Sequence, residues 1–421
     1  MVYLESKSRE VKAKAASPLT ADYADYTDIA SLWGKRGSSL PGVGLKLAGL
    51  LACLLAGLSQ GWGGGATNAP PQRARPFSYT NDVVPAGPWS IHIAKIERSH
   101  PDFQLCTTSG KGDFLGMATV AEQVKSLPSE LGQPMAAING DFYEKSEEYE
   151  GRPRDIQIRR GELITSPAGH AAFWIDRQGN PQMTNVHSRF RAVWPGAKTH
   201  AIGLNEDRRD DTAVLYTWVV GRSTRTRGGL ELALECGTDT PLPLRAGKVY
   251  DARVRSLSTS GDTRLDRQTI VLSIGPKLMS EMPTVKPGDK LKIITETVPD
   301  MSGVEVAIGG GPELVREGKV MQWHGFLHMR HPRSALGWNK DHIFLVEVDG
   351  RQIDLSVGMT FPEMADYMLK LGCQQAMNFD GGGSATFWAL GDVRNSPSEG
   401  QERPAANALV VVRKNSRQAA K

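Results

Sequence analysis

The sequence predicts an α+β protein: a mixed β-sheet core with short capped helices and a β-rich inserted region. Three observations carry that expectation. Short apolar, β-branched segments recur along the chain, several alternating with polar residues in the manner of half-buried strands. Few segments show helical periodicity, and those that do are short and open with a capping box. Glycine and proline account for 45 and 25 of the 421 residues, enough to join many strands by tight turns.

Residues 1–75 stand apart as a polar tail, an apolar segment and a linker. Leu47–Leu58 is an uncharged run of twelve residues, preceded by Lys35, Arg36 and Lys46 and followed by the small-residue tract Gly61–Ala66. Basic residues, apolar core and small residues follow one another as in a secretory signal. The run is shorter than the roughly 20 residues that span a bilayer comfortably. It predicts an exported protein, periplasmic or extracellular, that touches the membrane only through this signal or anchor.

A single catalytic domain is expected over 76–415, with a basic tail at 416–421. Trp89, Ile91 and Ile93 alternate with polar residues and predict a strand. Thr119-Val-Ala-Glu122 is a capping box for a helix that Pro128 should end. Met135–Ile138 is a brief apolar run that stops at Asn139-Gly-Asp141. Residues 203–297 read as short β segments separated by turns, the inserted region. His342–Val348 followed by Asp349-Gly350 reads as a hairpin. Thr360-Phe-Pro-Glu363 opens a second helix, closed by Gly372, and another short approach delivers Asn378-Phe-Asp380. The last strand covers Ala408–Val412.

Composition narrows the function. A net charge of +4, with 23% charged and 40% hydrophobic residues, carries no nucleic-acid footprint. The cysteines at 53, 106, 236 and 373 have no C-x-x-C spacing. They suit neither a zinc site nor a disulfide scaffold, although one disulfide with a spare thiol is compatible with them.

Four segments place chemistry at strand ends. Met377–Trp388 reads M-N-F-D-G-G-G-S-A-T-F-W. Gly381, Gly382 and Gly383 let a ligand approach the main chain, and their N–H groups could form an anion nest beside Asp380. Ile308–Leu314 holds a second triple-glycine turn, Gly309, Gly310 and Gly311, next to Glu313. Arg330, His331 and Arg333 gather a basic cluster suited to phosphate or carboxylate. Asn139 and Asp141 end the fourth.

Together with R-P-A-A-N-A-L near the end, the ordered set A-I-N-G-D-F-Y, G-G-G-P-E-L-V, H-P-R-S-A-L-G and N-F-D-G-G-G-S-A-T-F-W resembles the phosphodiester glycosidase family, from about Trp89 to Val412. The resemblance implies a mixed α+β catalytic domain that cleaves a sugar-1-phosphodiester or phosphoglycan. Family motifs fall on Asn139, His331–Arg333, Asp380–Ser384 and Arg403–Asn407. Asp141 departs from the pattern, since many relatives have glycine there, and the extra domains of animal members have no counterpart.

Residue chemistry agrees with this. A glycosyl phosphate breaks through an oxocarbenium-like state that a carboxylate stabilises or traps, and its leaving group needs its charge held more than it needs a proton. Asp380 is expected as general base or nucleophile, with Asp141 and Glu313 as second carboxylates and Arg333 with the glycine N–H groups on the phosphate. Asn139, Asn378, Ser384 and Thr386 would orient sugar or water, the resemblance adds Arg403 and Asn407 as substrate-binding residues, and Phe387 or Trp388 could stack on a sugar. No cofactor is required. Two alternatives remain: a metal-assisted phosphodiesterase built on Asp141, Asp380, Asn139 and His331, and a non-catalytic glycan-binding module.

Overall fold

The computed structural model describes residues 75–145, 148–323 and 329–415. Leu47–Leu58, its flanking tail and the basic tail at 416–421 lie outside the described residues. Among the described residues no helix is long and apolar enough to cross a membrane. Of the described residues 45% lie in strands and 8% in helices, so the α+β expectation holds with β-structure dominant. One strand pair, Gly203–Leu204 with Ala213–Tyr216, is parallel; the other described pairings are antiparallel.

Two sheets face each other with a helix on each outer face. The seven-stranded sheet runs in the order Phe77–Val84, Trp89–Glu97, His342–Val348, Arg333–Trp338, Gln375–Asn378, Glu313–Arg316 and Lys319–Val320. The five-stranded sheet runs Asp392–Val393, Phe387–Ala389, Gln133–Asn139, Ala408–Arg413 and Phe103–Thr107. Period-two alternation sorts their side chains. Ala94, Ile96, Leu336, Leu345 and Met377 pack inward against Ile138, Phe387, Leu409 and Val411. On the outer face, Ile91, Ile93, Ala335 and Val346 meet Met364, Ala365 and Met368 of the helix Phe361–Lys370. The helix Val120–Lys125 covers Ala137, Val410 and Val412 of the other sheet. Both helices have the predicted capping boxes, from Thr119 with Glu122 and from Thr360 with Glu363.

The β-rich region is not a separate insertion in space. Its strands share a twelve-stranded sheet with Gln157–Arg159, Ala168–Ile175, Pro181–Val193 and Val306–Gly309. That sheet has its own core, from Ile156 and Trp174 to Leu272 and Ile293.

The hairpin expected at Asp349-Gly350 is elsewhere. His342–Val348 turns back on Arg333–Trp338 through residues 339–341. Asp349 is buried instead of tipping a turn, because its carboxylate binds His92 and the Ser396 N–H. Cys106, Cys236 and Cys373 are free thiols.

Candidate active site

The three sheets converge where Gln133–Asn139, Gln375–Asn378 and Val306–Gly309 end. Gly140 stitches them together, accepting from Asp380 N at 2.9 Å and donating to Asn407 O at 3.0 Å. Two buried asparagines fix the backbone of Asp380 on one side and of Asp141 on the other. Asn139 Nδ2 donates to the Asp380 carbonyl at 2.7 Å, while its Oδ1 accepts from Ser334 Oγ at 2.6 Å and Thr386 N at 3.1 Å. Asn407 Oδ1 accepts the Asp141 N–H at 2.9 Å, and its Nδ2 donates to Gln157 at 3.4 Å. Their polar atoms are spent on backbone groups and on the buried side chains of Ser334 and Gln157, so these residues position the site rather than touch a sugar. The same bonds take Asn139 out of the oxygen-rich metal set expected from sequence.

Asp141 is 2% exposed. Burial first, then the charge of Asp155 and more weakly that of Asp380, push its carboxyl up to about 7, against the Asp155 N–H bond, which lowers it. That N–H donates to Asp141 Oδ2 at 2.7 Å. Gly309 is required here: a Cβ on it would lie 2.7 Å from the same Oδ2. Asp155 in turn holds His170, accepting its N–H at 3.0 Å and meeting Nδ1 at 3.1 Å. A register shift between Ala168 and Ala171 re-aims the strand at this point. The His170 side chain remains 57% exposed, and the Asp155 bond raises its pKa.

Asp380 is half-buried at the lip, and Gly381 N–H donates to its Oδ1 at 2.9 Å. The anion nest is largely filled by the protein itself. Gly382 N–H donates to Pro332 O, Gly310 N–H to Ala171 O and Gly311 N–H to Asn378 O. Gly310 instead allows close packing, since a Cβ there would sit 2.8 Å from the Asn378 carbonyl. Gly382 has φ +60, and Arg351 lies over it, with its guanidinium 3.0 Å from where a Cβ would be. Ser384 is buried, and its Oγ has no partner of full hydrogen-bond geometry. The Tyr143 side chain acts on it through a contact short of that geometry. A Cβ on Gly383 would collide with the Arg403 guanidinium, and the charge of Asp380 acts on both Arg403 and Tyr143.

Other predicted residues have structural partners. Arg333 is 7% exposed; its Nε and one terminal nitrogen donate to the carbonyls of Met359 and Met329, each at 3.1 Å. Its guanidinium stacks on Phe361 at 4.0 Å, and its stem passes Gly381. Arg330 pairs with Glu363, and His331 Nδ1 meets Arg351 at 3.1 Å. Glu313 is bound by Arg316 through Nε at 2.8 Å. Asn378 Nδ2 donates to Gly311 O at 3.0 Å, and Thr386 Oγ1 to Ser384 O at 3.3 Å. Arg403 pairs with Glu399. Phe387 and Trp388 are both core residues, so neither presents a face to a sugar.

Asp155, His170 and Arg351 carry no signal in the sequence that marks them as functional, whereas Tyr143 closes the A-I-N-G-D-F-Y motif without standing among the expected site residues. Asp155 and His170 stand in R-P-R-D-I and A-G-H-A-A, which have no telling spacing; Arg351 directly follows the Asp-Gly pair that reads as a turn.

This arrangement of an Asp-Gly-Gly-Gly loop against a second buried carboxyl can be set beside known proteins. Residues 257–412 match the phosphodiester glycosidase family. The matched residues include Asp380, Arg351, Arg403 and Asn407, and begin after Asn139, Asp141, Asp155 and His170. An uncharacterized prophage-derived protein of Bacillus subtilis, YomE, is 36% identical over 86 residues, 20% of this chain and 13% of that protein. The N-acetylglucosamine-1-phosphodiester alpha-N-acetylglucosaminidase of Bos taurus is 30% identical over 109 residues, 24% of this chain and 20% of that enzyme. The crystal structure of a hypothetical protein from Synechocystis has TM-score 0.62 at 16% identity, covering 80% of this chain and 61% of that one. It shares the fold. The chain thus spans less than two thirds of each of these relatives.

Proposed function

We propose that the protein is an exported hydrolase that cleaves a sugar-1-phosphodiester at the anomeric C–O bond, releasing sugar and a phosphate monoester. The observation that carries this reading is the split between two neighbouring carboxyls. Asp380 sits half-buried at the lip with the Gly381 N–H on its Oδ1. Asp141 is buried and keeps its proton to about 7. A carboxyl at the lip beside a buried one that holds its proton suits a division into base or nucleophile and proton-holding partner.

In this reading Asp380 faces the anomeric carbon and either attacks it or activates water. Arg351, with His331 beside it, holds the phosphate at the glycine loop. Arg351 forms no ion pair among the described residues, whereas Arg403 is already paired. Arg333 serves as a brace between the loop and the helix Phe361–Lys370. Tyr143 and the Ser384 hydroxyl face the substrate, and His170, aligned by Asp155, exchanges protons with solvent or the phosphate. The family match and the bovine enzyme, whose name specifies a sugar-1-phosphodiester, support the substrate class. Export rests on the Leu47–Leu58 segment.

The test is hydrolysis of a panel of sugar-1-phosphodiesters in oxygen-18 water. Cleavage at carbon leaves the phosphate monoester unlabelled. Label in the phosphate would place attack at phosphorus and overturn the reading.

A further inference from the structure

A second polar cluster lies between the two facing sheets, made of residues given no part in the reaction. His92 and Glu347 are direct cross-strand partners, and Asp349 follows Glu347 by two positions on the same face. That face belongs to the inner core, with Ala94, Ile96, Leu345 and Phe387 as neighbours. All three residues are buried, and one ligand atom from each lies within 4.8 Å of the others. Two carboxylates in such a place are costly unless a cation or proton is held with them. Among the described residues no lysine or arginine pairs with either. Glu347 Oε1 accepts from Asn395 at 3.2 Å, but its Oε2 is buried without a partner. Asp349 Oδ1 takes the Ser396 N–H at 2.7 Å, leaving Oδ2 facing His92 Nε2 at 3.1 Å.

We infer that His92, Glu347 and Asp349 form a structural site for a divalent transition-metal ion. The spread of the ligand atoms fits an ion centred among them, since bonds of about 2.0–2.4 Å place any two ligands no more than about 4.8 Å apart. One imidazole with two carboxylates suits Zn²⁺ or Mn²⁺ better than Ca²⁺ or Mg²⁺, which favour all-oxygen sets. The surroundings are those of an oriented ligand set. Tyr79 meets His92 Nδ1 at 2.9 Å, which can fix the tautomer with the Nε2 lone pair turned toward the carboxylates. Asn395 joins Glu347 to the catalytic loop, donating to Ala385 O and accepting from Phe387 N–H. The ion would therefore rigidify the underside of the Asp380 loop without touching substrate. This inference is independent of the reaction proposed above.

The competing arrangement is a proton shared among the same atoms, with Tyr79 donating to His92 and Nε2–H bonded to Asp349. The full chain, purified without an affinity tag, is analysed for metal by mass spectrometry. It is then unfolded with chelator and refolded in EDTA, Zn²⁺ or Mn²⁺. About one Zn²⁺ or Mn²⁺ per chain is expected, with metal-refolded protein melting several degrees above the EDTA sample. Glu347→Gln should lose both the ion and the difference. Metal well below stoichiometry, or melting identical in all three conditions, would overturn the inference in favour of the proton. Stoichiometric Ca²⁺ would overturn the assigned class. Should refolding or the variant fail, the metal content of the native protein decides.

Discussion

Asn139 donates its side-chain N–H to the Asp380 carbonyl at 2.7 Å, across 241 positions of sequence. The end of one sheet thereby sets the height of the Asp380 loop on the other. Asn139→Ala would strand Ser334 Oγ and Thr386 N–H as well. A stability loss of about 3 kcal/mol or more is expected. It should come with a fall in kcat larger than any rise in KM. Denaturant unfolding and steady-state kinetics check this; unchanged kcat would free the loop from Asn139.

Asp380→Asn should lower kcat about a thousandfold or more with melting nearly unchanged, because the side chain sits at the lip rather than in the core. Kinetics and thermal melts on one preparation give the answer. A large drop in melting temperature would make Asp380 a structural residue.

Asp141 gives a pH signature. Its carboxyl is raised from 3.8 to about 7 on folding. Below about pH 4 both folded and unfolded chains hold the proton. Between about 4 and 7 only the folded chain does, so the contribution to stability falls as pH rises and levels off above 7. Every tenfold gain in proton affinity on folding corresponds to roughly 1.4 kcal/mol. Asp141→Asn removes this slope, and its stability relative to the native chain should climb from pH 4 to 7. Parallel melting curves across that window would mean Asp141 is ionised throughout.

The arginines should separate. Arg351→Ala is expected to raise KM about tenfold or more with little change in melting, since the guanidinium lies exposed over Gly382. Arg333→Lys should cost stability first, because lysine cannot reproduce two carbonyl contacts and the stacking on Phe361. If Arg333→Lys raises KM while Arg351→Ala does not, the phosphate sits at Arg333.

Much of the framework is legible in the sequence because its signals are local. Both capping boxes, the apolar strand before Asn139 and the one before Asp380 follow from residues three or four apart. The β character of 203–297 is equally plain, but its union with 157–193 and 306–309 depends on pairings about a hundred residues distant, such as Lys292 with Val193. The glycine loops announce themselves, yet their N–H groups bond to carbonyls that no local pattern identifies. His170 is invisible because its role comes from Asp155, fifteen positions away and outside its own strand. The Asp-Gly pair at 349 misleads because a residue with turn chemistry is recruited into the interior by His92.

The placement of Ala408–Arg413 between Gln133–Asn139 and Phe103–Thr107 has a consequence for biosynthesis. The neighbours of this strand are made some three hundred residues before it. Until it emerges, Gln133–Asn139 and Phe103–Thr107 each present an open edge, and Asp141 lacks the Asn407 contact that seats its backbone. The growing chain therefore waits with two unpaired edges and closes them in one late step. A nascent protein stalled before residue 408 would be a target for chaperones or proteases rather than a slower version of the finished molecule.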